Sequence, residues 1–77
     1  MDPDTAYASL TDPSLPLRDR CLAGDGLEEW LLFGGYVPSA LHELLSDLHP
    51  YAIDQSARIW VAGYVRALDS VESHRPA

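Results

Sequence analysis

The sequence predicts an all-α fold: a small single-domain helical bundle of four to five helices with a long C-terminal helix. Three observations support this prediction. Apolar residues recur with a helical period over the last third of the chain, prolines and glycines stand at positions typical of helix ends, and 77 residues suffice for one small domain only. We therefore interpret residues 1–77 as one helical domain, with a loosely structured start over residues 1–13 and a frayed tail over residues 73–77.

Two Asp-Pro pairs near the start, Asp2-Pro3 and Asp12-Pro13, have the pattern of a helix start, because aspartate caps a helix and proline fits its first turn. The first pair predicts a short helix over residues 4–10. The second pair predicts a helix that starts near residues 14–16 and ends at Gly24, since glycine readily adopts the left-handed conformation that closes a helix.

A third helix is predicted to start at Asp25, because an aspartate followed three residues later by Glu28 is a variant of the capping box. It should end at Gly34-Gly35. Between these ends lies a run of four large apolar residues that must wrap around the helix rather than face one neighbour. We therefore predict that the protein self-associates through part of this run, with an oligomer interface of Leu31, Leu32 and Phe33.

The fourth helix should open at Val37-Pro38-Ser39 and close at Pro50, since the residue before a proline avoids the helical region. Its leucines recur at helical spacing and predict one apolar face: Leu41, Leu44, Leu45 and Leu48. The fifth and longest helix is predicted to begin at either Pro50 or Asp54 and is assigned to about residues 54–72. Its apolar side chains hold a 3.6-residue period: Ala57, Trp60, Val61, Tyr64, Leu68 and Val71.

Two features of this last helix bear on its packing and its identity. Gly63 lies inside it, and an internal glycine indicates the close approach of a neighbouring helix or aromatic ring. Residues 59–65 also have strand-forming side chains, so a strand is the alternative for this segment. The helical period continues on both sides of the segment, which favours the helix.

The chain is strongly acidic, with 12 Asp and Glu residues against 5 Arg residues, no Lys and a formal charge of −7. Direct binding to nucleic acid is therefore not expected, because a protein that grips phosphates needs basic side chains. The charge favours basic protein partners. An acidic surface kept only for solubility is an equally weighted alternative.

No apolar run approaches the roughly 18 residues of a membrane span, so we expect no membrane partner. The first residues lack the basic start and the apolar stretch of a secretory signal, and we expect a cytoplasmic location. The single cysteine, Cys21, can form no internal disulfide and fits a reducing compartment. Because it lies four residues after Leu17 on the predicted second helix, we expect it to be a small buried thiol.

The histidines do not predict a metal site. His42-Glu43 resembles the start of the zinc motif His-Glu-x-x-His, but Ser46 occupies the position of the second ligand. His42 and His49 would lie about 10.5 Å apart along a helix, too far to share one ion. No positioned acid, base or nucleophile is evident either. We therefore expect no catalytic, cofactor-binding or metal-binding residues, and we do not expect an enzyme.

The candidate partner-binding residues are acids and aromatics in the middle of the chain. The acids fall on the third and fourth predicted helices, where we interpret them as an exposed negative face, since acid–base catalysis would need a cleft that separates their pKa values. Two tyrosines lie in or beside loops, where a rigid ring can anchor a partner. These candidates are Glu28, Glu29, Glu43, Asp47, Tyr36 and Tyr51.

These observations favour a small acidic protein-binding inhibitor or adaptor that occupies a basic surface of a larger protein or nucleoprotein complex, one that handles nucleic acid. In size, charge and lack of catalytic motifs the chain resembles, in kind only, the small acidic proteins with which phages and mobile elements block host defences, the anti-CRISPR proteins among them. This resemblance implies an anti-defence role. The alternative is a homo-oligomeric helical regulatory or antitoxin-type subunit, such as a homodimer, which the apolar run of the third helix favours.

Overall fold

The computed structural model describes residues 2–73, and every regular element in this part of the chain is helical. Four α-helices, α1 to α4 in chain order, span Pro3–Leu10, Leu17–Glu29, Ser39–Leu48 and Ile53–Ser73, and a π-helical turn over Trp30–Gly34 (the π turn) continues α2. The predicted all-α fold with a long C-terminal helix is confirmed. Residues 74–77 of the predicted frayed tail lie outside the described residues.

Helix α1 starts where the first Asp-Pro pair predicts. The Thr5 backbone N–H donates to Asp2 Oδ1 over 2.7 Å, and this hydrogen bond is the main reason why the pKa of Asp2 is lowered. The helix ends at Thr11, whose hydroxyl donates to the Tyr7 carbonyl over 2.9 Å. Within the segment for which we expected a loose start, Leu10 is fully buried and belongs to the core.

The second Asp-Pro pair forms a turn rather than a helix cap. Asp12 Oδ1 accepts hydrogen bonds from the Ser14 backbone N–H over 2.9 Å and from the Ser14 hydroxyl over 2.6 Å. This local arrangement holds the short connection before α2, and it lowers the pKa of Asp12 because both hydrogen bonds favour the carboxylate. Helix α2 then begins at Leu17, directly after Pro16.

The predicted end of a helix at Gly24 and the predicted new start at Asp25 are both wrong, because α2 runs through them without a break. Gly24 is buried where three helices meet. A Cβ built on it would overlap Val65 Cγ2 of α4 and would lie 3.0 Å from Leu10 Cδ1 of α1. Glycine is therefore needed here for close packing rather than for a left-handed turn. Among the described residues only Gly35, with a φ of 66°, has the left-handed conformation, and it closes the π turn as predicted.

Helix α2 packs mainly against α1 and α4, and α3 packs against α4 and, less extensively, against α1. Helix α2 therefore lies between α1 and α4, and the core fills the space among these helices and α3. The buried apolar side chains of the core come from every helix and from the π turn: Ala6, Leu10, Ala23, Leu27, Leu31, Leu41, Leu45, Ala57, Val61, Val65 and Leu68.

Gly63 does not have the packing role that we predicted. No heavy atom lies within 4 Å of a Cβ built at this position, and the residue faces solvent. The close approach of helices occurs instead at Gly24, on the helix that packs against α4. The alternative of a strand over residues 59–65 is wrong, since the whole segment lies inside α4.

Arg20 connects three helices through its guanidinium group. Its Nε donates to the Leu10 carbonyl at the end of α1 over 2.9 Å, and its Nη2 donates to the Tyr64 hydroxyl of α4 over 2.9 Å. A cation at the carbonyl end of α1 also compensates the negative end of the helix dipole. Tyr64 continues a row of rings, because Trp60 lies 5.0 Å from Tyr64 and 5.7 Å from Tyr7 between ring centroids.

The start of α3 depends on a side chain from α1. Pro38 precedes the helix and offers no side-chain cap. Asp4 Oδ1 instead accepts a hydrogen bond from the Ser39 backbone N–H over 2.8 Å. This contact fixes the N-terminus of α3 against α1, although 35 positions separate the two residues in the chain.

Replacing Gly24 by alanine tests the three-helix contact. We expect Gly24→Ala to lower the free energy of unfolding by about 1 kcal/mol or more, because an overpacking cost of about 1–3 kcal/mol exceeds the gain in helix propensity. The matched control is Gly63→Ala on the open face of α4, which should instead stabilise the protein by about 0.5–1 kcal/mol. Urea denaturation followed by circular dichroism measures both changes. Equal stabilisation by the two substitutions would contradict the contact.

Replacing Arg20 by methionine keeps the aliphatic stem and removes both guanidinium hydrogen bonds. We expect Arg20→Met to cost about 1–2 kcal/mol of the free energy of unfolding, since a partly buried carbonyl and a hydroxyl lose their donor. Arg18→Met changes an exposed arginine on the same helix and should alter stability by less than about 0.5 kcal/mol. The same denaturation experiment compares the two variants, and equal losses would rule out a special role for Arg20.

Candidate protein-interaction surface

The π turn exposes part of the apolar run that follows α2. Its wider turn places Leu31 inside the core, while the Leu32 side chain is 61% exposed and the Phe33 side chain is 83% exposed. Of the three residues predicted for an oligomer interface, Leu31 must therefore be corrected to a core residue, because it is covered within the monomer. Leu32 and Phe33 remain available at the surface. Single π-helical turns inside helices occur frequently at functional sites.

Three aromatic residues at this end of α2 form what we call the aromatic end surface: Trp30, Phe33 and Tyr36. Tyr36 is 57% exposed, and its ring meets the Trp30 ring edge-on, with 5.5 Å between centroids and 74° between planes. Gly34 permits this arrangement, because a Cβ there would lie 2.5 Å from Tyr36 Cδ2. The Tyr36 ring is therefore held in place against the end of α2 while one side of it faces solvent.

The predicted acidic residues do not form one continuous face on two packed helices. Glu29 is exposed and lines a shallow hollow together with Trp30 and Phe33, so it directly borders the aromatic end surface. Glu43 and Asp47 are exposed on α3. Helices α2 and α3 are not principal packing partners, since each packs mainly against α4 or α1. The structure thus joins Glu29 to the aromatic end surface and places the two α3 acids on a different helix of the bundle.

Tyr51 lies in the connection between α3 and α4, and its side chain is fully exposed. Leu44 and Leu48, predicted as part of the apolar face of α3, are also exposed, while Leu41 and Leu45 are buried in the core. The α3 helix therefore has an apolar face broader than the part that the bundle covers.

Glu28, the fourth predicted acidic residue, lies in a groove between α2 and α4. The groove has a volume of about 420 Å³, and its lining residues come from both helices and from the π turn. We call this the α2–α4 groove. The residues that line it are Asp25, Glu28, Glu29, Leu32, Arg58 and Ala62.

Glu28 is partly buried in this groove, and burial raises the pKa of its carboxyl from the ordinary value of 4.5. The nearby carboxylate of Asp25 raises the pKa further, while the guanidinium of Arg66 on α4 acts in the opposite direction. Glu28 is therefore a carboxylate in an environment that only partly compensates its charge.

Cys21 is half-buried rather than fully buried as predicted. Its thiol donates a hydrogen bond to Asp69 Oδ1 across the α2–α4 contact, with 3.3 Å between sulfur and oxygen. Cys21 lies on the α4-facing side of α2, where it reaches the surface beside Arg18 and Leu22. Within residues 2–73, no three His, Cys, Asp or Glu side chains are placed to hold a metal ion.

Sequence reasoning missed several residues of these surfaces. The residue pattern does not single out Trp30, Arg58 or Ile59 as surface residues. A signal was present for Ile59, because its position in the helical period is nearly opposite Ala57 and Val61, which are buried. The exposure of Phe33 depends on the π turn, for which the residue pattern contains no recognised signal.

Comparisons of the chain with models of protein families, with curated proteins and with solved structures find no match. The helices in the described part of the chain are too short or too polar to cross a membrane. The exposed aromatic and charged groups therefore form the basis on which a function can be proposed.

The raised pKa of Glu28 predicts how one substitution changes stability with pH. The folded state binds the Glu28 proton more tightly than the unfolded state does. Protonated Glu28 therefore stabilises the fold at pH values below 4.5, its pKa in the unfolded chain, and this contribution is lost as the pH rises through the higher pKa of the folded state. We expect Glu28→Gln to be more stable relative to the natural protein at about pH 7 than at about pH 4. Urea denaturation at both pH values measures the difference.

The control for this experiment is Glu43→Gln, which neutralises an exposed carboxylate on α3. It separates the local effect of the groove from the general effect of lowering the negative charge of an acidic chain. If both substitutions shift stability equally at both pH values, the local burial of Glu28 does not govern its titration.

Proposed function

We propose that this chain is a small protein-binding adaptor or inhibitor that occupies a basic surface of a larger protein partner. The observation on which the proposal rests is the exposure of Phe33, 83% of whose side chain faces solvent beside the acid Glu29 and the Trp30–Tyr36 ring pair. Aromatic residues dominate the binding energy of protein interfaces, and a charged rim around them sets association rate and specificity.

The geometry supports this function in two ways. The core closes with Leu31 inside, so the exposure of Phe33 and Leu32 is not needed to complete the hydrophobic interior. Large exposed side chains that the fold does not use indicate an interaction site. The edge-on contact with Trp30 also restrains the Tyr36 ring before binding, which lowers the entropy that a partner must remove.

The class of partner follows from charge. The chain has a formal charge of −7, and Glu29 together with the neighbouring acids Asp25 and Glu28 borders the apolar residues at this end of α2. A protein groove that binds nucleic acid is basic, and carboxylates can compete with phosphates for it. We therefore propose a nucleic-acid-handling protein or nucleoprotein complex as the partner, with no direct contact between this chain and nucleic acid. An anti-defence role in a phage or mobile element is the setting that this proposal favours.

The experiment is capture of partners from a bacterial lysate by the immobilised chain, with and without nuclease, followed by binding measurements with the purified partner. Capture should survive the nuclease, since the contact is between proteins. We expect Phe33→Ala to weaken binding by about 2 kcal/mol or more, mainly through faster dissociation. Val71→Ala, at an exposed apolar residue near the C-terminal end of α4, is the matched control and should bind as the natural protein does.

Charge reversals test whether the acidic residues guide binding to a basic partner. If the acids guide binding, the affinity of the natural protein should fall as the ionic strength rises from about 50 to about 500 mM. The double variant Glu28→Lys with Glu29→Lys should bind more weakly, and its affinity should depend less on salt. The same reversal at Glu43 and Asp47 shows whether the acids of α3 take part. Binding that is insensitive to salt and to both double reversals would exclude a charge-guided interface. Binding that is insensitive to Phe33→Ala would exclude the aromatic end surface.

A further inference from the structure

The α2–α4 groove and the adjoining face of α4 form a second surface, which adjoins the aromatic end surface and shares Glu29 with it. Its apolar residues are Leu32 and Ala62, which line the groove, and Ile59, which is 66% exposed and lies beside Arg58 and Ala62 in an adjoining hollow on α4. Ile59 is a large β-branched residue on the helix side that points away from the core. This surface thus combines apolar residues of the π turn and α4 with charged residues of α2 and α4.

Charges of opposite sign lie on the two helices that form this surface. The α2 side has an acidic row of Asp25, Glu28 and Glu29, and the α4 side has a basic row of Arg58 and Arg66. Arg58, Ala62 and Arg66 are spaced four residues apart and therefore lie on one face of α4. The two rows nearly balance one another, although the whole chain has a formal charge of −7. This is the surface on which two of the five arginines face the acids of the neighbouring helix.

We propose that the α2–α4 groove binds a second copy of this chain, related by a two-fold axis that runs along the groove. Such an axis places α2 of each copy over α4 of the other. The acidic row of one copy then lies against the basic row of its partner, twice over, and the exposed apolar residues of the two copies are covered between the helices. A two-fold interface requires a surface that complements itself, and this arrangement of charges does so.

The size of the molecule permits an interface of this kind. The chain extends 43 Å by 24 Å along its two longest axes, and α4 runs for 21 residues. A stable interface buries roughly 800 Å² on each partner, so the contact must extend from the groove along much of α4. The dimer does not depend on the proposed adaptor function, although Glu28 and Glu29 belong to both surfaces. It covers the exposed Leu32 and Ile59, whereas the adaptor function rests on Phe33, which the groove does not include.

Two charge-reversed variants provide the test. The first is Asp25→Arg with Glu29→Arg, which makes both sides of the surface basic. The second is Arg58→Glu with Arg66→Glu, which makes both sides acidic. Light scattering after size exclusion should report a dimer for the natural protein and a monomer for each variant alone, because like charges would then face each other across the two-fold axis. An equimolar mixture of the two variants should again form dimers, since both pairs of facing rows are opposite in sign.

Three outcomes would overturn the proposal. They are a natural protein that stays monomeric at every concentration tested, variants that dimerise on their own, and a mixture that stays monomeric although each variant keeps the helical circular dichroism of the natural protein. All four reversed positions are exposed, so the helices should tolerate the changes.

A second pair of variants decides the question if a reversed variant does not fold. Ile59→Gln should abolish the dimer, while Val71→Gln, at an exposed β-branched residue of the same helix outside the groove, should leave it intact. Dimers that survive Ile59→Gln, or that are lost equally in both variants, would place the interface elsewhere. The readout is the mass of the purified chain alone, so failure of the dimer and failure of the adaptor function can be told apart.

Discussion

The fold depends on the contact that Gly24 makes with Leu10 and Val65. Because residue 24 has no side chain, α2 comes close to α1 on one side and to α4 on the other, and the three helices share one buried junction. Near this junction the Arg20 guanidinium donates hydrogen bonds both to the end of α1 and to the Tyr64 hydroxyl of α4. A small domain has few buried side chains, so close packing at one junction decides how well the rest of the core is covered.

The same junction determines what is left outside. Helices α1, α2 and α4 pack around this junction, and Asp4 fixes α3 to α1. Leu31 is the residue of the apolar run that is buried in the resulting core. The rest of the apolar run then has no place in the core. Phe33 faces solvent at the end of α2, and Leu32 faces the groove toward α4. Two surfaces with different chemistry follow, one aromatic and acid-bordered and one with charges of both signs, which is why we propose two different occupants.

The sequence was sufficient for the fold class and for the elements whose signals are local. The 3.6-residue period predicted α4 almost to its ends, and Asp2-Pro3 and Gly34-Gly35 marked true helix ends. It was not sufficient at Gly24 and Gly63, because a glycine that closes a helix and a glycine that admits a neighbouring helix look alike until the neighbour is known. It also could not divide the apolar run, since which of Leu31, Leu32 and Phe33 is buried depends on the π turn and on the packing of α4 behind it.

The account is tested most directly by nuclear Overhauser contacts between side chains in the free protein. It predicts strong contacts from the Gly24 α-protons to methyl groups of both Leu10 and Val65, and contacts from the Phe33 ring only to residues at the end of α2 and in the π turn. Gly24 protons without contact to Val65, or a Phe33 ring in contact with Leu41 and Val61 in the core, would contradict it.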